Sequence, residues 1–143
     1  MGDDMQTTEY ASLRHKIAVE KAERVARYAD FERLVTLANE AGLQAALAIT
    51  PTAMHVINPN GSLVQTIGEG ACGFAWIMVR PANSSFGRWL LKNNIAVKGY
   101  NGGAQIWISA HGQSYERKLA HARAMADFFR NAGYEAYACS RLD

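Results

Sequence analysis

Two short stretches concentrate the groups that bind anions. The first is Arg80-Pro81-Ala82-Asn83-Ser84-Ser85, with Arg88 one turn on. The second is His111-Gly112-Gln113-Ser114, followed by Arg117 and Lys118. In each, a serine precedes a helical run, so unpaired backbone N–H groups and the positive end of a helix dipole stand beside hydroxyls and cations. Ser84, Ser85 and Ser114 offer O–H donors, Arg80, Arg88, Arg117 and Lys118 offer charge, and His111 and Gln113 offer edges that read a base or ribose. That is the donor set a phosphate requires, opposed only by Glu116. The plainer reading of the same serines is helix capping alone. Catalytic patterns are missing: there is no G-x-S-x-G, P-loop, G-x-G-x-x-G or H-E-x-x-H. His111 with Glu116 is the one acid–base pair the spacing allows, and a capping or surface role fits them as well. The reading leans to a binder without catalysis, needing no cofactor and no metal.

The elements that must position these loops follow from periodicity. Residues 7–50 read as a helical segment, with Tyr10, Leu13 and Ile17 opening an apolar stripe and Pro51 ending it. Asp30 is a candidate cap for a second helix, so one bent helix and two helices are both open. Residues 53–67 read as a hairpin, two short strands about Asn58-Pro59-Asn60-Gly61. From 72 to 141 the order is strand 73–80, helix 86–93, strand 95–100, strand 104–110, helix from about 114 to 132 with Gly133 as its C′ residue, and strand 134–141. The fold class is therefore α+β: a ferredoxin-like β-α-β-β-α-β unit preceded by a helical segment and a hairpin, in a single domain over residues 1–143. Crossover handedness is expected to set the first and third strands of that unit side by side and parallel, which would bring the two anion-type loops to one pocket.

Alternation along the strands sorts the sheet into two faces. Ala75, Ile77 and Val79, with Ile106 and Ile108, suit the face under the helices. Phe74, Trp76, Trp107 and Tyr137 fall on the other, with Cys72, Cys139 and Arg141. An aromatic face of that size calls for a cover. The N-terminal helices, a partner subunit, and single-stranded nucleic acid stacking its bases are the three candidates. The last resembles the RNA-recognition motif, which shares the element order. Lys98-Gly99-Tyr100 begins like that family's third-strand signature, and the Gly102-Gly103 turn then breaks it. Cys72 and Cys139 are expected to lie close, as two buried thiols or as a redox pair.

Gly70-Ala71-Cys72-Gly73-Phe74-Ala75-Trp76, Pro81-Ala82-Asn83-Ser84, Gln113-Ser114-Tyr115-Glu116-Arg117-Lys118 and Ser140-Arg141-Leu142-Asp143 resemble a group of small accessory proteins encoded by tailed bacteriophages. The resemblance covers roughly residues 70–143. It carries over no catalytic residue. It implies a bacterial cytoplasm during infection, where such proteins bind a host protein or capture a signalling nucleotide.

Composition agrees with a folded domain. The 143 residues are 49% hydrophobic and 20% charged, and the net charge of +2 divides into −3 over residues 1–79 and +5 over residues 80–143. The basic second part favours an anionic partner. No apolar run nears the about 18 residues of a membrane span. The start has neither a signal-peptide pattern nor, with Gln6 in place of Ser or Thr, a myristoylation motif. Two cysteines are too few for a disulfide framework, so a reducing cytoplasm is expected. The expected partner is an anionic small molecule, most plausibly a nucleotide. A host protein, a second copy of the chain or nucleic acid is the alternative, and no membrane is expected.

Overall fold

Eight further elements follow one long helix in the computed structural model, which describes residues 2–143, with side chains from Gln6 onward. Helix α1 (Gly2–Leu47) is continuous, and β1 (Met54–Ile57) and β2 (Leu63–Ile67) follow. Then come β3 (Gly73–Arg80), α2 (Ser85–Lys92), β4 (Val97–Lys98), β5 (Ala104–Trp107), α3 (Tyr115–Asn131) and β6 (Glu135–Leu142). The fold is α+β. Asp30 is therefore not a cap but an interior helical residue, paired with Arg33 one turn on. The chain divides into two compact units, one ending at Arg33 and the other running from Leu34 to Asp143. In the first unit, Tyr10, Leu13, Ile17 and Val25 are exposed along α1.

The hairpin β1–β2 is its own two-stranded antiparallel sheet. His55 belongs to it, with Nδ1 3.1 Å from Thr66 Oγ1. The larger sheet has the order β4-β5-β3-β6, and every neighbouring pair is antiparallel. This corrects the expectation that β3 and β5 run parallel. A helical crossover makes the strands it joins parallel, and here α2 joins β3 to β4 while α3 joins β5 to β6. The tight β4–β5 turn then inserts β5 beside β3 in the reverse direction.

Helices α2 and α3 cover one face. Ala75, Ile77 and Val79 of β3 and Ala104 and Ile106 of β5 are buried there, against Phe86 and Leu90 of α2 and Ala122, Met125, Ala126 and Phe129 of α3. Phe86 and Phe129 meet edge to face with centroids 5.4 Å apart. Small residues on the strands let the helices sit close, and the aromatic pair fills the space between them. Ser84 caps α2 by accepting from Gly87 N at 3.0 Å, and Gly133 (φ +97°) closes α3 in the left-handed conformation expected of a C′ glycine. Strands β4 and β5 are shorter than the sequence pattern implies, because Ala96 N bonds back to Leu90 O and, past Trp107, Ile108 N still bonds to Ala75 O of β3 but no strand lies on the outer edge.

Candidate functional site

The two anion-type loops lie at opposite ends of the sheet. Arg80 closes β3 beside the start of β5, whereas His111 follows the end of β5, beside the start of β3. The strand between is about 23 Å long at ~3.3 Å per residue. The convergence expected from the sequence does not occur, and the ten residues split into two groups.

The first end carries Arg80, Asn83, Ser84, Ser85 and Arg88, and of these Asn83 and Arg88 share one depression. Asn83 and Arg88 line a depression of about 510 Å³ with Lys98 and Gly102. Ser84 is spent on its cap, and the remaining polar side chains are exposed.

At the second end the chain itself takes up most of the donors, although Arg117 Nε is buried without an acceptor among the described residues. Ser114 is buried and donates to Glu69 O at 3.2 Å, and Arg117 pairs with the Glu69 carboxylate at 3.3 Å. Lys118 is only 5% exposed; its Nζ donates to Gly73 O and lies 5.5 Å from the Phe74 ring. Gln113 accepts from Gly73 N through its carbonyl, so its backbone serves the fold. Glu116 accepts from Thr52 N at 2.7 Å and has no bond to His111.

His111 instead pairs with His121. Its Nε2 is 2.8 Å from His121 Nδ1, and His121 Nε2 is 2.9 Å from Asn39 Oδ1. An amide oxygen only accepts, so His121 carries its proton on Nε2 and accepts from His111 on Nδ1. Both rings are neutral near pH 7. Burial, then His111, lowers the His121 pKa to about 4. Burial, then Arg117 and Lys118, lowers that of His111. The chain of bonds fastens residues 34–47 of α1 to α3. Gly42 makes this possible, since a Cβ there would stand 2.2 Å from His121 Cδ2. The partners of His121 come from distant parts of the chain, and the glycine inside α1, Gly42, is the one sequence signal that points to such a close approach.

The face of the sheet away from α2 and α3 is aromatic and open. Trp76 and Trp107 are register partners on the two central strands and stack with centroids 4.6 Å apart. Phe74 meets Trp107 edge-on at 6.3 Å, and the Arg141 guanidinium lies 5.2 Å from the Phe74 ring. Trp107 is 39% exposed and Tyr137 47%. Trp76 Nε1 is enclosed without an acceptor among the described residues. Residues 34–47 of α1 lie on the other side of the sheet, through the Asn39–His121 bond, so that stretch is not the expected cover.

The cysteines are not neighbours. Cys139 is the register partner of Trp76 and Cys72 is bonded to Asp143, which puts the two thiols about 13 Å apart along the strands. Both are free, and burial raises the Cys139 pKa. The described residues hold no group of three or more His, Cys, Asp or Glu side chains arranged for a metal, and no helix long and apolar enough to cross a membrane. Comparison with protein-family models, with curated proteins and with solved structures found no match to this chain.

Proposed function

We propose that this chain is a binding protein, without catalysis, for nucleotides or short single-stranded nucleic acid, and that the bases stack on the open face of the sheet. The observation that carries the reading is the cluster of Phe74, Trp76, Trp107 and Tyr137 on one uncovered face, with Arg141 beside it. Aromatic side chains on central strands are platforms for bases, and a base stacked on one contributes about 1–3 kcal/mol. Arg80, Arg88 and Lys98, at the end where β3 finishes, supply charge for phosphates, and residues 80–143 carry a net +5. The strand order and alternating directions suit a ferredoxin-like β-α-β-β-α-β unit, the arrangement in which the two central strands present such a platform. In the setting implied by the resemblance to phage accessory proteins, the ligand is a nucleotide signal or a displaced single strand in a bacterial cytoplasm.

The expectation of a phosphate held between two helix N-termini loses its support, because those termini are at opposite ends and Ser114, Arg117 and Lys118 at one of them already bond to Glu69 and the Gly73 carbonyl.

The test is titration of tryptophan fluorescence with octathymidylate, AMP and cyclic dinucleotides at low salt. Quenching that weakens as salt rises, and that disappears in Trp107→Ala, is the expected result. Unchanged emission with every ligand at millimolar concentration ends the proposal. A concentration-dependent dimer that hides the tryptophans would place a second copy on this face instead.

A further inference from the structure

Beyond Gln105 the outer edge of β5 has no strand next to it. β4 pairs only with Ala104 and Gln105. Ile108 N donates to Ala75 O at 3.0 Å, so Trp107 sits in a non-hydrogen-bonded pair with Trp76. Its own N–H and C=O therefore point away from β3. Ser109, just past the end of β5, follows Ile108, whose N–H faces β3, so in an extended run its own groups alternate to the outer side. None of these four backbone groups has a partner among the described residues.

They open into a groove of about 430 Å³ whose opposite wall is residues 35–43 of α1. Ile95, Leu43, Ile106 and Met125 make its lining largely apolar, and Glu40 is its one charged side chain, without an ion-pair partner among the described residues. The helical wall is preformed: Asn39 is fixed by His121, and His121 by His111. A free strand edge facing a helix across an apolar floor is the geometry in which an extended chain adds as a further strand. Donors and acceptors repeating at every second residue match a peptide backbone rather than a compact molecule. The long edge strand β6 of a second copy is a poor occupant, since Arg130 already donates to Ala136 O at 2.6 Å.

We propose that this groove binds an extended peptide segment of a partner protein, paired with the backbone of Trp107 and Ser109, with a Lys or Arg side chain meeting Glu40. The site uses the backbone of Trp107, whose ring belongs to the aromatic face, and it does not depend on the nucleotide reading.

A display library of linear nine-residue peptides panned against the full chain tests this. Enriched peptides should carry a basic residue within an alternating apolar pattern, and the amide resonances of Trp107 and Ser109 should shift and exchange more slowly on binding. Affinity should fall at least tenfold with Glu40→Lys, an exposed substitution that spares the fold, and at least tenfold when the pairing peptide nitrogens are N-methylated. No enrichment over bare support overturns the proposal, as does undiminished binding by either the Glu40→Lys chain or the N-methylated peptides.

Discussion

The two faces of the four-stranded sheet are made by alternate residues of the same strands, yet they differ in what the rest of the chain does with them. One face places Ala75, Ile77 and Val79 under α2 and α3 and buries them completely or nearly so. The other carries larger rings, Phe74, Trp76 and Trp107, and leaves them partly in water. Burial of apolar area drives folding, so rings left partly in water on this face add less to the core than the small residues beneath the helices and remain available for contact with a ligand. Substitutions on the covered face should therefore act on stability, and those on the open face on binding.

The largest effect is expected from Phe129→Ala. This side chain is fully buried against Phe86, and its removal should lower the free energy of unfolding by about 3–5 kcal/mol in a denaturant titration. Gly42→Ala should cost about 1–3 kcal/mol by overpacking against His121, and the loss should shrink in the double variant with His121→Ala. If the double variant shows the full sum, the two residues are not in contact.

Trp107→Ala tests the open face. It should weaken oligonucleotide binding by about 1–3 kcal/mol per stacked base while costing less stability than Phe129→Ala. The reverse result would make the aromatic face part of the core.

Acid should act through the covered side. The folded His121 titrates near 4 against 6.5 for a free histidine, so the unfolded chain takes up this proton first as pH falls. Stability should decline from about pH 6.5 to about 4 and flatten below. His121→Gln should remove most of that slope in melting curves. The smallest expected effect is that of Arg141→Gln, which removes a cation from the Phe74 ring. It should cost about 0.5–1 kcal/mol and lower the salt dependence of binding by about one charge.

Local patterns are legible in the sequence. The hairpin, the caps at Ser84 and Ser114, the left-handed Gly133 and the alternation that separates Ile77 from Trp76 all follow from spacing within a few residues. The meeting of the two anion-type loops did not follow, because it rested on the relative direction of two strands far apart in sequence. Ser114, Arg117 and Lys118 read as donors for a ligand. Their partners, Glu69 and the Gly73 carbonyl, come from a glycine-punctuated stretch some 45 residues earlier, which no local rule connects to them. The His111–His121–Asn39 chain was illegible for the same reason, since Asn39 and His121 stand 82 residues apart.

Periodicity, capping and composition by themselves determined which segments become helix or strand and which side of each strand is apolar, since those depend on neighbours three or four positions away. Tertiary structure alone decided which ends of the strands adjoin, which cations are already neutralised, and that the backbone of Trp107 and Ser109 faces an open groove. Those outcomes depend on how the crossovers and the short β4 arrange strands in space, and side-chain patterning does not encode a strand's direction relative to a distant neighbour.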